Sequence, residues 1–117
     1  MILHIIPRDV WAQAQHNGSY HAASLEREGF IHFSKPEQVV GTANRFYTGQ
    51  RDLLLLVVDP VKVQAEVRYE PPAENPASSE RFPHIYGDLN LDAVIRVVDF
   101  PPDADGSWSK LPDGADE

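Results

Sequence analysis

The chain has 117 residues, 42% apolar and 24% charged, with no cysteine, and its apolar runs fall far short of the roughly 20 residues that a membrane-spanning helix needs. One domain of this size buries roughly 65% of its unfolded surface, enough for a core without disulfides or a structural metal. The absence of Cys excludes thiolate catalysis, zinc ribbons and iron–sulfur clusters.

The net charge of -8 is unevenly placed: residues 103–117 hold five acids against one base, which is half of the excess. No run of Lys or Arg provides the footprint of a duplex-binding protein, and a long polyanion would be repelled. A small anion held locally is compatible, with Arg45, Arg68, Arg81 and Arg96 as candidates to meet it. The first residues show no basic stretch ahead of an apolar one, so a cytoplasmic location is expected, with no membrane partner.

In chain order, residues 2–6 (ILHII) read as a β-strand closed by Pro7, which cannot donate to a ladder. Residues 9–15 read as a short helix capped by Asp9 and stopped at Asn17-Gly18. A second begins at Ser24 and ends at Gly29, where a left-handed residue is wanted. A strand over residues 30–33 follows. Ser34 and Glu37 match a capping box, predicting a helix whose apolar stripe is Val39, Val40, Ala43, Phe46 and Tyr47.

Residues 53–58 (LLLLVV) are apolar at every position, as in a strand buried on both faces. Residues 65–69 alternate, with Arg68 and Glu70 on the polar side. The Pro-rich residues 71–80 form a loop and a candidate lid. Strands over 82–86 and 93–100 follow, with Gly87 as a turn. The order predicts one α+β domain over residues 1–102, with a mixed or antiparallel split sheet and two or three helices, and then a flexible acidic tail over 103–117.

Chemistry concentrates in a few positions. His4, His32 and His84 sit in predicted strands, where imidazole serves as acid, base or hydrogen-bonding group near neutral pH; each also suits a packing role, His4 most of all. Glu70 closes a rigid strand beside a loop, a common setting for a working carboxylate, though pairing with Arg68 is the plainer reading. His32, His84 and Glu70 are the catalytic candidates. His4, Ser34, Tyr47, Arg68, Tyr86 and Gly87 complete the candidate binding set, with Tyr47 and Tyr86 able to stack on a base. No metal site is expected from the ligand spacing.

SLEREGFIHFSKPEQVVGTANRFY, LLLLVVD, VRYE and FPHIYGDLNLDAVIRV together resemble the bacterial family called domain of unknown function 952, over roughly residues 2–100. The chain departs from that pattern at Asp88, where Pro is usual. More distantly, residues 29–47 are similar to the second motif of the ADP-ribosyltransferase superfamily, which includes RNA 2′-phosphotransferases. That resemblance implies a split sheet with NAD in its cleft, His32 at the nicotinamide ribose or amide, His4 at the first-strand polar position and Tyr47 stacked on the nicotinamide. Glu70 and His84 are both candidates for the superfamily's late Glu, which steadies the ribose 2′-hydroxyl. The implied function is ADP-ribosyl or phosphotransfer chemistry on NAD or a phosphorylated nucleotide; the alternative is a catalytically silent ligand-binding or interaction domain.

Overall fold

The structure, a computed structural model, describes residues 1–116. In chain order it runs β1 (Ile2–Pro7), α1 (Arg8–Asn17), β2 (Ser19–Tyr20), α2 (Ala23–Glu28), β3 (Ile31–His32), α3 (Val39–Phe46), β4 (Leu53–Val58), β5 (Glu66–Glu70), β6 (Phe82–Tyr86), β7 (Leu89–Asn90) and β8 (Val94–Asp99). Short 3-10 turns occupy Pro60–Lys62 and Leu91–Ala93. The strands form sheets ordered β1-β4-β8, β2-β7 and β3-β6-β5. Every pairing among the named strands is antiparallel, so the expected α+β class holds and the mixed-sheet option does not.

The organising element is β4, whose six residues are all buried. Because successive side chains of a strand point to opposite faces, Leu54, Leu56 and Val58 enter one core with Ile2, Ile6, Ile31, Phe33, Ile85 and Leu89. Leu53, Leu55 and Val57 enter a second with Leu3, Ile5, Val39, Ala43, Phe100 and Trp108. Helix α3 covers the second core through Val39 and Ala43, while Phe46, expected in the same stripe, is 56% exposed at the end of the helix.

The three sheets are tied together through β1. Leu3 and Ser34 exchange backbone hydrogen bonds of 2.8 Å in each direction. That pairing holds Ser34 extended, so the expected Ser34–Glu37 capping box does not form. Helix α3 starts at Val39, and the Lys35 amide donates to Gln38 Oε1 at 2.9 Å, one residue beyond the expected box. Similarly, Pro7 rather than Asp9 takes the N-cap position of α1, because the strand runs directly into the helix. Ser24 lies inside α2 and donates to the Phe30 carbonyl instead of capping.

His4 supplies the second tie. It points into the first core between Ile2 and Ile6 and is 7% exposed. Its Nδ1–H donates to the His32 carbonyl at 2.6 Å, and the Tyr20 hydroxyl donates to Nε2 at 2.8 Å. Both ring nitrogens are therefore committed to β3 and β2. Burial lowers its pKa from 6.5 to about 4, against the opposing pull of the His32 carbonyl.

The tail departs most from expectation. Trp108 and Ala115 are buried in the second core, so the packed domain continues past residue 102. Trp108 stacks on Phe100 with ring centroids 5.3 Å apart, and its indole N–H donates to the Phe100 carbonyl. Asn44 grips the Trp108 backbone at both ends, donating to its carbonyl and accepting from its amide, each at 2.8 Å. Arg96 reaches the Gly114 carbonyl at 2.9 Å. Acidic composition concealed this because Asp103, Asp105, Asp113 and Asp116 stay at the surface while two spaced apolar residues carry the packing.

Two outcomes follow from this packing. Trp108→Ala empties an aromatic site in the core and should destabilise the protein by about 3–5 kcal/mol in urea unfolding; a loss under about 1 kcal/mol would mean that the tail does not contribute to the core. For His4, the unfolded chain takes up the proton first as pH falls, since its pKa is higher when unfolded. Stability from the neutral imidazole is thus complete above pH 6.5 and is lost as pH falls to about 4, a total on the order of 3 kcal/mol. His4→Leu should be less stable at neutral pH, because the Tyr20 hydroxyl and His32 carbonyl lose a partner, and should show a flatter decline between pH 7 and 4.5. Equal slopes in the two proteins would remove this account.

Candidate functional site

Register builds the site. In the β3-β6-β5 sheet, His32 stands opposite His84, Arg68 opposite His84, Glu66 opposite Tyr86 and Glu70 opposite Phe82. With a period of two, these side chains share one face, while Ile31 and Ile85 turn into the first core from the other. Four of the polar candidates, His32, His84, Glu70 and Tyr86, thus become neighbours although 54 positions separate the first from the last.

At the centre is His84, whose side chain is 3% exposed. Phe30 lies flat on it, with ring centroids 4.1 Å apart and planes 21° from parallel. The His32 ring meets it edge-on at 5.6 Å. Its Nδ1–H donates to Glu70 Oε1 at 2.9 Å, and the Tyr86 hydroxyl donates to the same oxygen at 2.5 Å. These bonds, that from Tyr86 foremost, hold the Glu70 carboxyl below its ordinary pKa, so it is ionised at neutral pH. Burial lowers the His84 pKa, with the Glu70 hydrogen bond opposing, so the imidazole is neutral there. A neutral ring that donates through Nδ1 carries its lone pair on Nε2. Among the described residues that nitrogen has no hydrogen-bond partner.

His84 also lines a small cleft of about 60 Å³ between α3, the start of β1, the β3 region and the Pro-rich loop. His4, His32, Ser34 and Tyr47 line it as well. Five of the nine sequence candidates therefore meet in one place. His32 is half exposed and its Nε2 lies 2.9 Å from Glu28 Oε2. Ser34 Oγ lies 3.2 Å from Thr42 Oγ1, which itself donates to the Gln38 carbonyl. Tyr47 terminates α3, and burial raises its pKa. His4 contributes its ring wall rather than a free nitrogen.

The other four stand differently. Glu70 reaches the site only through His84. Tyr86 is outside the cleft lining and orients Glu70. Arg68, expected to meet a ligand phosphate, is instead held by Glu66 through Nε and Nη2 at 2.9 and 3.0 Å and lies 4.4 Å over the Tyr86 ring. Two residues apart on one strand face, Glu66 and Arg68 are natural partners. Gly87 is outside the cleft lining; it adopts φ 152°, and a Cβ there would sit 3.0 Å from Ala65 Cβ, which accounts for glycine at this position.

Sequence reasoning missed Glu74 and Thr42 and left Arg45 as one arginine of four. Arg45 and Glu74 both line the cleft and pair across it at 2.8 Å. Arg81 turns to the Ser78 and Glu80 carbonyls and Arg96 to Gly114, so the four arginines do not converge. The one available signal for Arg45 was its helical position, two residues after Ala43 and just before the aromatic pair. Nothing in the loop sequence marks Glu74. Among the described residues no three His, Asp or Glu side chains are grouped to hold a metal, and no helix is long and apolar enough to cross a membrane.

Comparison with known proteins places this geometry in a family. The chain is 33% identical to the protein CC0527 of Caulobacter crescentus, whose crystal structure superposes with a TM-score of 0.81 over 92% of each chain. A double mutant of that protein superposes equally well. Its solution NMR structure matches with a TM-score of 0.70, covering 91% of this chain and 89% of the other. No curated protein matches. The profile of the family described as "Protein of unknown function (DUF952)" matches residues 5–97, which include all nine candidate residues except His4. The chain belongs to the DUF952 family, as FIHFS and FPHIYG had suggested.

Proposed function

We propose that the cleft binds a small phosphorylated nucleotide or NAD and that the protein is a transferase of the ADP-ribosyl or phosphotransfer type. The observation that carries this reading is the neutral His84 imidazole, which lines the cleft, is fixed in tautomer by Glu70 and leaves Nε2 without a hydrogen-bond partner among the described residues. In this role Nε2 accepts the proton of an attacking hydroxyl. Glu70, ionised and braced by Tyr86, then stabilises the imidazolium. His32 adds a second polar ring to the same wall, and Tyr47 offers an aromatic surface for a base or nicotinamide. Electrostatic assistance is worth more in such a half-buried setting than in open water, because water screens it less.

One observation favours binding without turnover. Among the described residues, the single carboxylate lining the cleft is Glu74, and it is paired with Arg45. A cationic centre developing in the cleft would meet no free carboxylate, whereas proton transfer through His84 needs none there.

Titration with NAD, ADP-ribose and a 2′-phosphorylated nucleotide, followed by thermal shift and amide NMR, separates these readings. Ligand at a hundredfold its dissociation constant should stabilise a binder by about 2.7 kcal/mol, a rise of several degrees for a domain of this size. Shifts at His32, Tyr47 and His84 are expected; no response to any of the three ligands removes the nucleotide reading. Turnover, where found, should fall at least about a hundredfold in His84→Gln. In Glu70→Gln the imidazole loses its anionic partner, so the His84 pKa, followed by NMR, should fall further. An unchanged His84 titration would mean that Glu70 does not tune it. Binding without turnover in the unaltered protein leaves the silent domain.

A further inference from the structure

We propose that Arg45 is the anion receptor of the cleft and that Glu74, on the Pro-rich loop, is a built-in competitor occupying the position a ligand phosphate takes. The inference rests on the cleft being a ligand site and not on the ligand being a nucleotide.

Arg45 is the one Lys or Arg among the described residues that line the cleft, and Glu74 the one Asp or Glu. They face each other from opposite walls, α3 and the loop, joined Nη2 to Oε2 at 2.8 Å. A guanidinium offers five N–H donors, and this contact uses one of them. Among the described residues no other hydrogen bond occupies the group; its remaining contact is with the Phe46 ring, 5.3 Å from the centroid. Donor capacity is thus left over in a planar fork suited to two oxygens of one phosphate. The remaining arginines discussed above are each committed elsewhere, to Glu66 or to backbone carbonyls.

The pair is also easy to exchange. Its side chains are 53% and 40% exposed, and exposed ion pairs are weak because water screens them. A phosphate dianion accepting two parallel N–H bonds from the same group is held more strongly. The loop around Glu74 does not have to come free for this. Pro72 is buried on one side, and on the other the Arg81 carbonyl is held by the Gln38 side chain at 2.9 Å. Between these anchors only the Glu74 side chain needs to swing out. Until it does, its charge raises the anion concentration required to fill the cleft, on a protein whose net charge of -8 already disfavours anions.

Inorganic pyrophosphate is the probe, titrated by calorimetry and amide NMR into the full chain and into Glu74→Gln, Arg45→Gln and the double variant, at low and physiological salt. Both side chains are exposed, and unfolding midpoints should stay near that of the parent. Glu74→Gln should tighten pyrophosphate about two- to fivefold, and Arg45→Gln should weaken it about tenfold or more. In the Arg45→Gln background the Glu74 substitution should change affinity less than about twofold, since competition needs the shared receptor. Pyrophosphate that binds none of the proteins, or binds with no gain in Glu74→Gln, overturns the proposal. The same variants titrated with ADP-ribose keep the two readings apart. The pyrophosphate pattern without any nucleotide response retains the receptor and removes the nucleotide; nucleotide binding indifferent to both substitutions does the reverse.

Discussion

Strand β4 is the constraint on which the rest of the molecule depends. Six consecutive apolar side chains, buried on both faces, require cover on two sides, and a chain of 117 residues has few elements to provide it. The two cores are the result: α1, β2, β3 and β6 close one side, while α3 and the C-terminal segment close the other. Burial of Trp108 and Ala115 is a consequence of the same demand, because α3 contributes only Val39 and Ala43 as fully buried residues to its core. An acidic segment is retained on the fold for the apolar residues it carries.

Around that strand, buried polar groups serve to join small sheets that share few backbone bonds. The two-stranded β2-β7 sheet in particular would be marginal at best by itself. His4 connects β1 to Tyr20 of β2 and to the backbone of His32 in β3. An apolar side chain there would fill the space but leave a buried hydroxyl and a carbonyl without partners. The tie also fixes the backbone of His32, and with it one wall of the cleft.

The cleft combines a rigid wall and an adjustable one. The rigid wall is the β3-β6-β5 face, where Glu70, His84 and Tyr86 are locked by hydrogen bonds and by the stacked Phe30 ring. Its electrostatics are set by burial and a partner together: the carboxyl is kept charged and the imidazole neutral. The adjustable wall is the loop bearing Glu74, joined to α3 by exposed groups. Part-buried hydrogen bonds thus fix the sheet side of the cleft, and a weak, exposed ion pair joins its loop side to α3.

The sequence by itself determined the elements whose chemistry is local. Pro7 ended β1, Gly29 closed α2 in a left-handed conformation, the LLLLVV run became a strand with two buried faces, and the histidine blocks led to the family. It also brought His32, His84 and Glu70 into view as candidates, because residues on strands beside loops are held rigidly. What only the tertiary structure decided is the pairing of groups distant in the chain. Ser34 paired with Leu3 instead of capping a helix, His4 spent both nitrogens on other elements, Arg68 turned to Glu66, and Arg45 met Glu74 across the cleft. Residue spacing carries the period of a helix or strand but not the register between strands, and a side chain's partners are set by that register.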